Sequence, residues 1–237
     1  MAVDNKKGKK ESVRKMFNEI SYRYDFLNHF LSMGIDILWR KKLVSLLKKQ
    51  HPKYVLDIAT GTGDLAITAS RIEAIKIVGV DIAEKMLAVG QKKIEHKKLT
   101  HKIVLSIGDS ENLPFETGTF DAAMVAFGVR NFENLDKGLA EMYRVLREKS
   151  KVYILEFSMP EKFPVRQLYH FYFKNILPLI GRIVSKDRGA YTYLHDSVQE
   201  FPSGEAFLSR LNKVGFKNST QLKLSFGIAS IYVGEKS

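Results

Sequence analysis

Apolar residues in the first fifty positions recur at spacings of three and four along the chain. This spacing places one apolar face on each helix and predicts helices over residues 12–50. The residues that set it are Met16, Phe17, Ile20, Tyr24, Leu27, Phe30 and Leu31. We therefore expect residues 1–50 to form an N-terminal helical segment that covers a site built by the rest of the chain.

From Lys53 onward, short apolar runs alternate with helical patterns. The runs lack polar alternation, which is typical of parallel strands that are buried on both faces. Their alternation with helices predicts βαβ units and a doubly wound sheet. The runs cover residues 54–56, 77–80, 103–105, 122–125 and 152–155, and the clearest helical patterns cover 64–73, 83–96 and 134–147.

A different pattern begins after Ser158. Residues 163–184 are rich in aromatic and aliphatic side chains, and the stretch is nearly long enough to span a bilayer. Interspersed polar residues and Pro178 argue against a spanning helix, so we expect a helical cap inserted at about 160–200. The interrupting residues are Arg166, His170, Lys174 and Arg182.

The C-terminal part, from Gly204 onward, predicts one more helix and two closing strands over 220–226 and 229–233. A connection as short as the one at Gly227 is typical of an antiparallel pair. The fold class predicted for residues 51–237 is therefore α/β. We expect a Rossmann-like, doubly wound, mostly parallel seven-stranded sheet that ends in an antiparallel hairpin.

Composition and charge limit the chemistry, the location and the partners that we expect for the chain. It has 237 residues, no cysteine and a net charge of +12, so disulfides, cysteine-ligated metals and a cysteine nucleophile are excluded. The basic N-terminus has no apolar run behind it, so we predict no secretory signal and a cytoplasmic location.

The net positive charge favours weak peripheral contact with an anionic membrane at the inner face of the cell membrane. The basic residues are spread along the chain and no nucleic-acid module is recognisable, so we expect no nucleic-acid partner.

The strongest local signal is a strand that runs into a glycine turn over residues 55–64. Gly61 and Gly63 permit positive φ angles and let the backbone approach a ligand. Their spacing to Ala66 also fits a nicotinamide-dinucleotide fingerprint, which is the main alternative. Asp57, at the strand end, disfavours that alternative. Its carboxylate would repel a pyrophosphate but suits the sulfonium and ammonium charges of S-adenosylmethionine.

Two further acids follow the next two strands. Asp81 ends the second apolar run, where a carboxylate can accept hydrogen bonds from both ribose hydroxyls of a nucleoside. Asp109 follows the third run, where an acid can accept from an adenine amino group, with Leu113 close enough in the chain to flank the ring. Because the carboxyl ends of parallel strands share one edge of the sheet, these acids and Asp57 predict one nucleoside-binding cleft.

Other segments carry a more specific pattern. They are Tyr24-Asp25-Phe26-Leu27-Asn28, Trp39-Arg40, Phe127-Gly128-Val129-Arg130-Asn131, Leu155-Glu156-Phe157-Ser158, Tyr191-Thr192-Tyr193-Leu194 with Ser197, and Phe201-Pro202. Together with the glycine turn and the acids, they resemble the ubiquinone/menaquinone biosynthesis C-methyltransferase family, which belongs to the class I S-adenosylmethionine methyltransferases. The resemblance runs from about Phe17 to the C-terminus. By matching position it implies cofactor contact at Thr60, Asp81, Asp109 and Ser110.

The chain departs from the pattern of that family in two places. Many relatives have Gly-Gly in the turn before the fifth strand, where this chain has Arg147-Glu148-Lys149-Ser150, and we expect only a structural adjustment there. Ala126 stands where some relatives place a hydroxyl before the Phe-Gly pair, which removes one candidate cofactor contact.

The resemblance implies S-adenosylmethionine-dependent C-methylation of a lipophilic prenylated quinol, with demethylmenaquinol favoured over a ubiquinone precursor. The enzyme would position the ring and promote loss of a hydroxyl proton. Candidates for this role are Tyr24, Asn28, Arg130 and Asn131, and Arg130 suits a phenolate because its guanidinium stays charged. The six histidines are scattered without metal-ligand spacing, so we expect no metal.

Three other function classes stay open at this point. An NAD(P)-dependent oxidoreductase fits the glycine spacing, and a nucleic-acid methyltransferase fits the charge, although the chain has no Asn-Pro-Pro-aromatic motif for an extruded base. A non-catalytic membrane-associated protein would leave the acids unexplained. The sequence does not determine the prenyl length, the general base or the oligomeric state, for which a homodimer is one option.

Overall fold

The computed structural model describes residues 8–32, 34–171, 175 and 189–237, leaving aside the side chains of residues 26–28, 30, 31, 170 and 189–192. Its first elements are two helices, α1 (Lys9–Leu31) and α2 (Ile35–Lys48), as the spacing of apolar residues predicts. Gly34 precedes α2 in the left-handed region (φ 76°), a conformation that a residue without Cβ adopts at little cost.

Strands and helices alternate after α2. In chain order they are β1 (Tyr54–Ile58), α3 (Asp64–Ala69), β2 (Lys76–Asp81), α4 (Glu84–His96), β3 (Ile103–Ile107), β4 (Phe120–Ala126), α5 (Leu135–Val145), β5 (Leu146–Phe157), α6 (Val165–Phe171), α7 (Gly189–Glu200), α8 (Glu205–Val214), β6 (Lys217–Leu224) and β7 (Ala229–Glu235).

The described strands form a seven-stranded sheet in the order β3-β2-β1-β4-β5-β7-β6. The first five strands of the chain run parallel, β7 runs antiparallel to β5, and β6 runs antiparallel to β7. The predicted fold class is confirmed. The strand order reverses between β1 and β4, and open sheets of this kind bind ligands at such a reversal, beyond the carboxyl ends of the strands.

Both faces of the central strands are buried. Val55 and Leu56 are successive residues of β1, and neither exposes any surface. Val55 packs with Leu43 of α2 on one face of the sheet, and Leu56 belongs to the core of the other face with Leu139 of α5 and Phe207 of α8. Successive side chains of a strand point to opposite faces, so a strand covered on both sides carries no polar alternation.

Two helix ends differ from the prediction. α3 ends at Ala69 and does not continue to residue 73, and α5 ends at Val145, directly before β5. The polar residues 147–150, predicted as a turn, lie within β5. The pairing of β5 with β4 skips them, so they bulge from the strand, and Lys149 adopts a left-handed backbone conformation (φ 64°).

The region after β5 is described in part. α6 and α7 lie in the region where the helical cap is predicted, whereas residues 172–174 and 176–188 of that prediction lie outside the described residues. Within the described ranges, no helix combines the length and the apolar character needed to cross a bilayer.

Candidate active site

The glycine turn after β1 forms part of a cleft at the carboxyl edge of the sheet. Ala59, Gly61 and Gly63 all have positive φ angles of 52°, 56° and 78°. A Cβ on Gly61 would lie 3.2 Å from the Cε atom of Met86, and both residues line the cleft. A side chain at position 61 would therefore be strained by its backbone and would crowd the wall of the cleft.

Asp57 and Thr60 lie behind this turn. The buried Asp57 carboxylate accepts hydrogen bonds from the Thr60 hydroxyl (2.6 Å) and the Ala66 backbone N–H (3.1 Å), and its Oδ1 atom has no hydrogen-bond partner. Burial raises the pKa of Asp57 to about 7, although these two hydrogen bonds lower it. Asp57 and Thr60 are not among the residues that line the cleft, and Gly63 directly precedes α3 as its N-cap. Their contact with a cofactor stays a prediction.

Asp81 ends β2 and lines the cleft. Its Oδ2 atom accepts from the Gly61 N–H (2.8 Å), and its Oδ1 atom accepts from the Ala83 N–H (2.8 Å). Burial raises the pKa of Asp81, whereas the hydrogen bonds from Ala83 and Gly61 lower it, with burial the stronger influence. Because a carboxylate oxygen has two lone pairs, each oxygen can still accept a bond from a ligand.

Asp109 and Ser110 follow β3 and line the same cleft. The Asp109 carboxylate accepts from the Glu111 N–H (2.9 Å) and from the Lys10 ammonium (2.7 Å), which also lies 3.3 Å from the Glu111 carboxylate. Burial raises the pKa of Asp109, but the hydrogen bonds from Lys10 and Glu111 outweigh it and hold the pKa below its usual value. The acid and the hydroxyl predicted from sequence are thus brought beside Asp81.

The first half of α1 contributes Lys10, Val13 and Phe17 to the lining of the cleft. The Lys9 ammonium donates to the carbonyls of Arg130 (3.1 Å) and Phe132 (2.9 Å), and the backbone N–H of Lys10 donates to the Glu133 carboxylate (3.3 Å). Burial lowers the pKa of Lys9. From the sequence, Lys9 and Lys10 are predicted only as part of a basic N-terminus. Their distance in sequence from Asp109 and Phe132 gave no local signal of these contacts.

Arg130 lies in the short 3₁₀ turn after β4 and is paired inside the protein. Its guanidinium donates to the Glu156 carboxylate (2.7 Å), and the two side chains are 6% and 0% exposed. The guanidinium also donates to the Phe127 carbonyl (2.5 Å), whereas Arg130 Nε is buried without a hydrogen-bond partner. Glu156 therefore provides the counter-charge for the buried Arg130 guanidinium.

Asn131 and Tyr24 line the cleft. Asn131 Oδ1 accepts from the Tyr193 hydroxyl (3.0 Å), and burial raises the pKa of Tyr193 to about 12, so this hydroxyl stays protonated at neutral pH. The side chain of Asn28 lies outside the described atoms. Glu156 and Tyr193 lie in segments that carry the family resemblance, but the sequence predicts no contact between them and Arg130 or Asn131.

Replacing Glu156 by glutamine should destabilise the fold by about 1–3 kcal/mol, because an amide cannot balance the charge of the buried Arg130. Urea denaturation monitored by circular dichroism measures this loss. Glu235→Gln is the matched control, since Glu235 pairs with Lys151 at 3.4 Å on a part-exposed surface of the same sheet and should cost about 1 kcal/mol or less. Equal losses in both variants would contradict the assigned role of Glu156.

Comparison with known proteins identifies the kind of protein that carries this cleft. The profile of the ubiE/COQ5 methyltransferase family matches residues 4–236. The chain belongs to this family. A demethylmenaquinone methyltransferase of Bacteroides fragilis is 43% identical over 96% of this chain and 94% of its own length. A ubiquinone/menaquinone biosynthesis C-methyltransferase of Citrifermentans bemidjiense is 46% identical over 96% of this chain and 97% of its own length.

Two solved methyltransferases share this fold. A possible histamine N-methyltransferase from Thermotoga maritima superposes with a TM-score of 0.65 at 19% identity, covering 94% of this methyltransferase and 99% of its own chain. A phosphoethanolamine N-methyltransferase of Haemonchus contortus, solved with S-adenosylmethionine, has a TM-score of 0.62 at 16% identity, covering 93% and 60%. At such identities the likeness concerns the fold, while the family match favours a methyl donor over a nicotinamide dinucleotide at the glycine turn.

Proposed function

We propose that this methyltransferase transfers the methyl group of S-adenosylmethionine to a ring carbon of a prenylated quinol, with demethylmenaquinol as the favoured substrate. One observation carries the proposal: in a member of this family, Gly61, Asp81 and Asp109 line one cleft at the carboxyl ends of neighbouring parallel strands. A ubiquinone precursor is the second candidate, because the Citrifermentans relative is named for both quinones. The proposal includes a cytoplasmic location with weak peripheral contact to an anionic membrane, which the net charge of +12 supports.

The residues of the cleft fit a bound nucleoside. Asp81 would accept from the ribose hydroxyls, and Asp109 with Ser110 would face the adenine amino group. Asp57 Oδ1, a buried acceptor without a partner, lies beside the glycine turn and would favour a positively charged ligand there. S-adenosylmethionine, when bound, supplies a methyl group on a positively charged sulfur.

The protein itself would contribute positioning and electrostatic stabilisation. Tyr24 and Asn131 line the cleft and would orient the quinol, with the Tyr193 hydroxyl fixing the orientation of the Asn131 amide. Arg130 precedes Asn131 and pairs with Glu156 outside the lining of the cleft, so it would stabilise the negative charge that develops on a quinol oxygen from a distance and not by direct contact. A quinol hydroxyl would lose its proton so that the ring carbon can attack. The new carbon–methyl bond would form as the sulfur–methyl bond breaks, leaving S-adenosylhomocysteine, and the ring carbon would then lose its hydrogen as a proton, which restores the aromatic ring. We assign no residue of the chain as the base.

The experiment that tests the proposal is a methyl-transfer assay with isotopically labelled S-adenosylmethionine. Reduced demethylmenaquinone and a reduced ubiquinone precursor are supplied in parallel, and the products are identified by mass. Label on a ring carbon of the first substrate supports the favoured activity, and label on the second supports the alternative. Binding of S-adenosylhomocysteine without label transfer to either quinol would contradict quinol methylation while leaving the donor site intact.

Replacing Asp81 by alanine should weaken S-adenosylmethionine binding by about 1.5–3 kcal/mol, because charge-assisted bonds to the ribose hydroxyls are lost. Calorimetry on the folded variant measures the effect. Asp121→Ala is a control at the opposite end of the sheet, where Asp121 bonds the backbone N–H groups of Lys53 and Tyr54. Unchanged affinity in the Asp81 variant would count against this contact.

A further inference from the structure

Four large apolar side chains are exposed on the segment that follows β5, which includes α6, and on the connection between β6 and β7. We call them the aromatic edge: Phe163, Leu168, Phe171 and Phe226. The first three follow β5 and are 81%, 64% and 57% exposed, and Phe226, between β6 and β7, is 85% exposed. Phe163 and Phe226 line one groove between the two connections. Clustered apolar exposure of this kind is uncommon on a surface that faces only water.

The backbone at Phe226 is strained without any packing gain inside the chain. Ser225, Phe226 and Gly227 have φ angles of 44°, 59° and 94°, and a bulky residue in this region is a genuine outlier. Hydrogen bonds hold the connection on both sides, from the Trp39 indole to the Ser225 hydroxyl (2.9 Å) and from the Ser158 hydroxyl to the Gly227 carbonyl (2.8 Å). The fold thus fixes an aromatic ring in solvent at an energetic cost, which points to a contact outside the chain.

The charges around the aromatic edge favour an anionic apolar partner. Lys162 and Lys223 line the groove, and the exposed Arg166 lies on α6 between Phe163 and Leu168 in sequence. Two carboxylates oppose them, Glu161, which pairs with Lys223 at 3.1 Å, and Glu205 at the groove. Since the whole chain carries +12, a second copy of the chain would be repelled, whereas an anionic bilayer offers both an apolar interior and the opposite charge.

The aromatic edge lies beside the candidate active site. β5 is parallel to β4, so its carboxyl end opens on the same edge of the sheet as the cleft. Glu156, which pairs with Arg130, is the next-to-last residue of β5. Phe163 follows the end of this strand closely in the chain. A surface docked there would keep a prenyl tail in the lipid while the quinol ring reaches the cleft.

We propose that the aromatic edge docks this methyltransferase on an anionic phospholipid bilayer, with the rings of Phe163 and Phe226 inserted at the boundary between headgroups and acyl chains. Interfacial binding of this kind combines buried apolar area with attraction to anionic lipid. The value of docking for catalysis rests on the proposed lipophilic substrate, but vesicle binding itself does not depend on that activity.

Co-sedimentation of the full chain with phosphatidylcholine vesicles, with and without phosphatidylglycerol, tests the proposal. Native protein should bind the anionic vesicles more strongly, and binding should fall as salt rises. The double variant Phe163→Ser/Phe226→Gly should bind them about tenfold more weakly, because two apolar rings no longer insert. Glycine accommodates the left-handed backbone at position 226, so the variant should remain folded. Ile107→Ser is the control, since Ile107 is 67% exposed and belongs to β3, the strand farthest from β6 and β7 in the strand order.

Further measurements separate this inference from the proposed function. The double variant should bind S-adenosylhomocysteine as the native protein does and methylate a water-soluble quinol with a short side chain at the native rate. Methylation of long-chain quinol in vesicles should fall with vesicle binding. Unchanged vesicle binding in the double variant, or an equal loss in Ile107→Ser, would overturn the inference even where quinol methylation holds. A native dimer that the double variant converts to monomer would also overturn it, in favour of a second copy of the chain.

Discussion

Methyl transfer to the quinone substrate should stop when the reductant is withheld. An oxidised quinone ring is poor in electrons and has no hydroxyl to ionise, so its ring carbon cannot attack an electrophilic methyl group. A quinol can lose a hydroxyl proton and place negative charge on the adjacent ring carbon, where Arg130 would stabilise it. Transfer of labelled methyl groups, followed with dithionite and then under oxygen with the quinone confirmed as oxidised, measures the difference.

A matched control keeps this result interpretable. Binding of S-adenosylhomocysteine should be the same with and without reductant, because no donor-binding residue of the cleft is redox-active and the chain has no cysteine. Equal transfer rates in the two conditions would show that the quinol is not the nucleophile. A parallel loss of donor binding would mean that reductant acts on the protein.

Replacing Arg130 by alanine should lower kcat by about 10² or less, at or below the cost of removing a donor in direct contact with the developing charge, because Arg130 does not line the cleft. The affinity for S-adenosylhomocysteine should change much less, since Arg130 lies outside the walls of the cleft and its charge matters most in the transition state. Single-turnover methyl transfer and calorimetry together measure the two effects.

Two further variants distinguish this catalytic contribution from loss of structure. Arg130→Ala leaves Glu156 buried without its partner, so Arg130→Ala/Glu156→Gln should recover stability but not turnover. Arg210→Ala is the control, because Arg210 pairs with Asp136 at 2.7 Å on a part-exposed surface of α8. Recovery of turnover together with stability in the double variant would assign Arg130 a structural role only.

Sequence patterns predicted the acids at the strand ends because these positions follow from local information. An apolar run fixes a buried strand, and the parallel arrangement brings the ends of β2 and β3 to one edge, so Asp81 and Asp109 had to lie close together. The contact between Lys10 and Asp109 was not predictable in this way. It depends on how α1 packs against α4 and α2, which no spacing within α1 specifies.

The orientation of the Asp57 side chain follows from the alternation of side chains along β1. In β1, Leu56 and Ile58 belong to one core and Val55 to the other, so the alternation of the strand places Asp57 on the side of Val55, where α3 begins. Its carboxylate accordingly bonds Thr60 and Ala66 and does not line the cleft. The bulge at residues 147–150 could not be predicted from the sequence, because a short polar stretch is equally typical of a turn and of a bulge within a strand.

The bond between Lys10 and Asp109 links the occupancy of the cleft to the end of a helix. A ligand group that displaced the Lys10 ammonium from this carboxylate would loosen the first turn of α1, and loosening of that turn would favour the ligand by the same free energy. Amide exchange at the start of α1 would therefore report on the ligand.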